Sequence, residues 1–228
     1  MNRLELVNSL FELADISNTP LATTVSQTGV NLRAVNWIKQ AWIDIQNADK
    51  RWNFMLKDLS FVTSSSQSYT LTAMGCGSAD THPLKTLDRE SLRIYTTATG
   101  VGDEQFLDWM DWDDFKDVYL FGARQSGRPS CFSQDPATKS VYFNSSPGPG
   151  YTVVGKYWRT AVSLATDADE PACPPDFHMA VVYRAVSKYA GFESAAEAKM
   201  EAIENYTMLM AGLREDQTAV MGMAGPLA

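Results

Sequence analysis

The run Leu32-Arg33-Ala34-Val35-Asn36-Trp37-Ile38-Lys39-Gln40-Ala41-Trp42-Ile43-Asp44-Ile45-Gln46-Asn47-Ala48-Asp49 decides how the chain is read. Val35, Ile38, Trp42 and Ile45 recur at three- and four-residue steps, while Asn36, Lys39, Gln40 and Asn47 lie largely elsewhere. That period predicts an amphipathic helix with a buried, Trp-bearing stripe. Asn31 stands where an N-cap is expected. A second helix is expected ahead of it, from Arg3 to Ala14, on the spacing of Leu4, Val7, Leu10, Phe11 and Ala14. Asn18, Thr19 and Pro20 separate the two.

After Trp52 the period changes. Leu59, Phe61 and Thr63 alternate with polar residues, which is strand spacing. Tyr69-Thr70-Leu71, Leu84 to Leu87, Leu92 to Thr96, Phe106 to Asp108, Ser130 to Gln134, Ser140 to Asn144 and Tyr151 to Arg159 are further strand candidates. Short strands divided by Gly and Pro turns imply a small antiparallel sheet or barrel. Trp109 to Leu120 carries Trp112, Phe115 and Tyr119 at helical steps and is expected to cover one mouth or edge of it.

From Glu170 the helical texture returns. Pro175 or Asp176 opens a helix bearing Phe177, Val181, Ala185 and Tyr189, and Gly191 is expected to interrupt it. Ser194-Ala195-Ala196-Glu197 reads as a capping box for a last helix lined by Ala195, Ala198, Ala202, Tyr206, Leu209 and Leu213. Neither helix pair makes a convincing domain alone. The expectation is α+β, with one helical bundle made from residues 1–55 and 170–217, a β-rich insertion over 56–169, and an apolar tail over 218–228.

Composition narrows the function. The 228 residues are 45% hydrophobic and 20% charged, which is globular rather than disordered. No stretch approaches the ~18 apolar residues of a membrane helix, and Met1-Asn2-Arg3-Leu4-Glu5 has no signal-peptide core. A net charge of -8 argues against wrapping nucleic acid, which needs phosphates neutralised by Lys and Arg. Cys76, Cys131 and Cys173 lack CxxC spacing, so neither a disulfide framework nor a thiolate zinc site is expected, and a reducing cytoplasm suits them. The sequons at Asn144 and Asn205 are then chance matches.

No catalytic motif is found, and no metal ligand set or cofactor is expected. His82 and His178 are the only histidines, and both read as ordinary loop and helix-start residues. Ser126-Gly127-Arg128-Pro129 lacks the Walker pattern and reads as a turn into a strand. The tryptophans lack the basic interleaving of a single-strand binder, so core packing accounts for them better. Asp103, Glu104, Asp108, Asp111, Asp113, Asp114 and Asp117 form an acidic cluster with only Lys116 to balance it. It reads first as a solvated acidic face. A metal-dependent hydrolase using these carboxylates is the competing reading.

The order of motifs carries a resemblance. The helix above is followed by Arg51-Trp52-Asn53-Phe54-Met55, Ser68-Tyr69-Thr70-Leu71, Gly127-Arg128-Pro129-Ser130, Tyr151-Thr152-Val153 and Gly155-Lys156-Tyr157-Trp158-Arg159. Then come Asp167-Ala168-Asp169-Glu170-Pro171, Pro174-Pro175-Asp176-Phe177-His178 and Val181-Val182-Tyr183-Arg184-Ala185. The series resembles the head-to-tail adaptors of tailed bacteriophages, a family that includes tail tubular protein A and head completion proteins.

The resemblance covers about Leu32 to Gln217. It implies a non-enzymatic virion protein of the neck, assembled in the host bacterial cytoplasm. It implies a ring, typically of twelve copies, beneath the portal protein. Such a ring extends the channel for double-stranded DNA without gripping it and carries the next tail or nozzle protein. A different neck or tail completion protein is the nearest alternative. The family's portal-contacting segment corresponds here to the tail, with Thr218, Val220, Met221, Met223 and Leu227 as its candidate contacts. The acidic face of Asp108, Asp111, Asp113, Asp114 and Asp117 would suit a lumen that repels a DNA backbone.

Overall fold

The computed structural model describes residues 1–16, 19–49, 51–77, 82–122 and 125–217. The chain divides into two compact units, one of residues 1–54 with 161–228 and one of residues 55–160. The fold is α+β, with helices from both chain ends packed together and β-sheets between them in sequence.

The first unit holds α1 (Arg3–Leu13), α2 (Gly29–Ala48), α4 (His178–Phe192) and α5 (Ala196–Gln217). Asn2 caps α1 through a reciprocal capping box with Glu5. Its inner face is Leu6, Val7, Leu10 and Phe11. The inner face of α2 includes Val35, Ile38, Trp42 and Ile45, as their spacing predicts, together with Ala34, Ala41 and Gln46. The start of α2 differs from expectation. It begins at Gly29 after Thr28, so Asn31 lies inside the helix and its side chain bonds Gln27.

Helix α4 is the hub, since α1, α2 and α5 all pack on it. It runs through Gly191 to Phe192, where an interruption is expected. Its end falls instead at Ser194, whose φ of 59° is left-handed and turns the chain. Ser194 lies two residues ahead of α5 and does not serve as the expected N-cap; Ala195 accepts the first turn's bond from Lys199. Gly212 brings α5 against Phe177, whose ring would lie 3.1 Å from a Cβ placed there.

Two tryptophans finish this core. Trp52 donates its indole N–H to the Ile45 carbonyl at 3.0 Å, and its ring stacks on Phe54, which also stacks on Trp42. The buried amide of Gln46 donates to the Val162 carbonyl at 2.9 Å and accepts from the Val162 N–H at 3.1 Å. A polar side chain fully removed from water thus has its partners.

The second unit contains two sheets. One has five strands, ordered β1 (Leu56–Val62), β9 (Tyr151–Arg159), β4 (Arg93–Thr96) and β5 (Gln105–Phe106), with β3 (Leu84–Leu87) also on β9. All its pairings are antiparallel; Leu56 faces Trp158 and Val62 faces Thr152 across β1 and β9. The other has four, ordered β2 (Ser68–Tyr69), β8 (Val141–Phe143), β7 (Cys131–Gln134) and β6 (Asp108–Trp109). Its β6–β7 pairing is parallel. Both strand orders are open, so the sheet alternative is realised and the barrel is not.

Leu59, Phe61, Ile94 and Val153 from the first sheet, with Leu92 just ahead of β4, share one core with Tyr69, Phe132, Val141 and Phe143 from the second. Phe106 to Asp108, expected as one strand, is divided. The chain leaves one sheet at Phe106, buries Leu107, and joins the other at Asp108. Tyr69-Thr70-Leu71 is extended only to Tyr69. A turn then closes through bonds from Met74 to Thr70 and Cys76 to Leu71.

Candidate functional site

The acidic segment is built on aromatic anchors. Trp109, in β6, packs edge-on against Phe132, and the Arg89 guanidinium lies 3.9 Å from its ring centroid. Trp109 to Leu120 is therefore not one helix. Asp111 accepts from the Asp113 N–H and caps α3 (Trp112–Phe115), which continues into a π-helical turn over Lys116–Leu120. Phe115 is fully buried, and Trp112 packs on Tyr142. Such wide turns often occur where a segment does something other than fill a core.

With the rings turned inwards, the carboxylates turn out. Asp108, Asp111, Asp113, Asp114 and Asp117 are all exposed. Lys116 reaches Asp113 at 2.8 Å; that contact first, and the Asp117 and Asp135 charges after it, hold its ammonium pKa up. The other two acids of the cluster are tied down. Asp103 accepts from Thr96 and Arg128, and the Thr96 hydroxyl is the main cause of its lowered pKa. Glu104 pairs with Arg93 at 3.1 Å. Arg128 also donates to the carbonyls of Ile94 and Asp103, so Ser126 to Pro129 is a structural turn. Among the described residues no three His, Cys, Asp or Glu side chains converge as a metal ligand set.

His178 and the cysteines sit in packing roles. His178 is buried, with Nδ1 2.7 Å from the Met1 amine and Nε2 3.1 Å from the Cys173 carbonyl. Burial is the main reason that its pKa falls. The His82 carbonyl accepts from the Tyr157 hydroxyl at 2.9 Å. All three cysteines are buried, and burial pushes the Cys173 thiol up to about 12, far from a reactive thiolate. The candidate portal contacts Thr218, Val220, Met221, Met223 and Leu227 lie outside the described residues.

One arrangement escapes sequence reading. Arg3, buried on α1, donates to the Leu164 and Ala165 carbonyls and to Asp167. Asp167 also receives the Thr23 hydroxyl at 2.5 Å and both the N–H and hydroxyl of Thr24. The Thr23 and Thr24 hydroxyls, ahead of Arg3, hold its carboxyl far below the usual range. The clasp joins α1, the segment before α2 and the segment after β9.

The SU10 adaptor protein family model matches residues 1–227, and the chain belongs to that family, a phage adaptor family and not an enzyme family. No curated protein shows significant similarity to the chain.

Proposed function

We propose that the chain is a ring-forming structural subunit of the virion neck. Copies of it assemble, twelve to the ring, on the portal protein. The ring extends the channel through which double-stranded DNA passes and offers a platform to a tail or nozzle protein. The family match along the whole chain carries this reading. The exposed carboxylates of Asp108, Asp111, Asp113, Asp114 and Asp117 support a lining that repels phosphates. Residues 218–228, apolar and uncharged, are suited to burial against the portal.

Native mass measurement of the full chain with purified portal tests the proposal. A portal-bound ring of defined copy number is expected. A chain that stays monomeric and ignores portal overturns it. Removing residues 218–228 is expected to weaken portal attachment while leaving the fold intact.

A further inference from the structure

Helix α5 has two apolar sides. One, with Ala202, Met210 and Leu213, is buried. On the other, Met200 is 72% exposed, Met208 67% and Ile203 43%. Glu197, Glu201 and Glu204 stand exposed among them, at steps of four and three residues. Like charges at those steps repel on a helix, and none of the three is in an ion pair among the described residues. The nearest cation in sequence, Lys199, reaches back beside Gly191. An amphipathic helix that leans on one neighbour and offers methionines and unanswered carboxylates outwards has the composition of a contact surface.

The opposite character occurs on the outer side of α2. Leu32, Arg33, Asn36 and Gln40 are exposed there, with Lys39 half-buried beside them. The Arg33 guanidinium sits 4.9 Å from the centroid of Phe192, itself half-exposed. The acid on this helix, Asp44, is already taken by Arg184 and Lys188, each at 2.9 Å. So α2 presents a basic face with an apolar border, and α5 an acidic face flanked by Met200 and Met208, with Ile203 at its edge. Both helices pack on α4 and not extensively on each other. The two faces are distinct surfaces of one chain, which is what a heterologous, ring-generating contact requires.

We infer that the outer face of α5 docks on the outer face of α2 in a second copy of this chain, with Glu197, Glu201 and Glu204 meeting Arg33 and Lys39. Residues 218–228 suit the α5 face less well, because they carry no charge and would leave the three carboxylates unanswered. The inference rests on the ring reading and names the contact that builds the ring.

The test uses the full chain and two charge sets. One is Glu201→Lys with Glu204→Lys; the other is Arg33→Glu with Lys39→Glu. Sedimentation is measured alone and with purified portal at low and high salt. Each set by itself is expected to weaken association of copies at least about tenfold. Mixing the two variants is expected to restore it, because each altered α5 then meets an oppositely charged α2. Salt is expected to weaken the wild-type contact. Circular dichroism on each variant keeps misfolding apart from lost docking.

Association untouched by either set overturns the inference, as does a mixture of folded variants that stays dissociated. Loss on deleting residues 218–228 with no effect of the charge sets assigns the face to that tail instead. An effect on portal binding alone assigns it to the portal. Wild-type chain that never self-associates, even on portal, defeats the ring reading itself.

Discussion

Arg3 and Asp167 meet at 3.1 Å although 164 positions separate them. The guanidinium is almost wholly buried, and the carboxylate is partly open to water. An amide at this position removes the charge facing the buried guanidinium and replaces one of the two oxygens that accept from Arg3, Thr23 and Thr24 with a donor. Asp167→Asn is therefore expected to lower the melting temperature clearly at neutral pH. Because the folded carboxyl titrates below its unfolded value near 4, its contribution is present above that value and fades as pH falls below it. Thermal scans from pH 7 to pH 2 should show the wild-type and variant curves converging at the acid end.

His178 gives a second pH window with its own sign. Its folded pKa lies below the ordinary 6.5, chiefly through burial. Stability from the neutral ring is thus complete above about 6.5 and declines as pH falls through the lowered value. His82 is shifted the same way, first by burial and then by Lys57 and Arg159. Denaturant titrations between pH 7.5 and pH 5 should show falling stability in the wild type. His178→Gln is expected to flatten that slope, and His82→Gln to remove a separate, additive part of it.

Gly155 tests the sheet core. It faces Leu59 across β1 and β9, and a Cβ there would stand 2.9 Å from Leu92 Cδ1 and 3.2 Å from its Cγ. Leu92 is fully buried in the core, so moving it aside displaces its packed neighbours. Gly155→Ala is expected to cost about 1–3 kcal/mol by overpacking. In a Leu92→Val background the same change should cost less, an interaction that a double-mutant cycle of urea midpoints would detect.

Phe132 anchors the second sheet, fully buried and edge-on to Trp109. Phe132→Ala is expected to remove about 3–5 kcal/mol. Trp109 and Arg89 should lose order with it, visible as a change in tryptophan fluorescence.

The exposed carboxylates should behave in the opposite manner. Converting Asp113, Asp114 and Asp117 to Lys is expected to leave the melting temperature nearly unchanged, since among the described residues Asp113 alone of the three is in an ion pair, with the half-buried Lys116. In assembled particles the same change should slow DNA ejection if these residues line the channel, because it adds phosphate contacts. Single-particle ejection kinetics would read this.

The sequence made much of this legible where one strong period acted over many residues. Val35, Ile38, Trp42 and Ile45 are buried as their spacing requires, and Leu59, Phe61 and Thr63 alternate as a half-buried strand must. Boundaries were less legible, because they depend on single backbone conformations. Gly191 looks like a breaker, yet the turn is made by Ser194 in a left-handed conformation. Trp109 fits a helical stripe with Trp112, yet a parallel pairing to Phe132 takes it into a strand. The acidic face was visible as composition, and the clasp around Arg3 was not, because its partners come from distant parts of the chain.

The helical unit needs residues from both termini, while residues 55–160 are contiguous. During translation the sheets have all their strands once Arg159 has left the ribosome. The helical core has α1 and α2 early, but must wait for α4 and α5 to emerge. A chain halted before its last helices would therefore carry folded sheets and an unfinished helical part. Any surface that depends on α5 is therefore available only in copies translated through Gln217, well after the sheets have emerged.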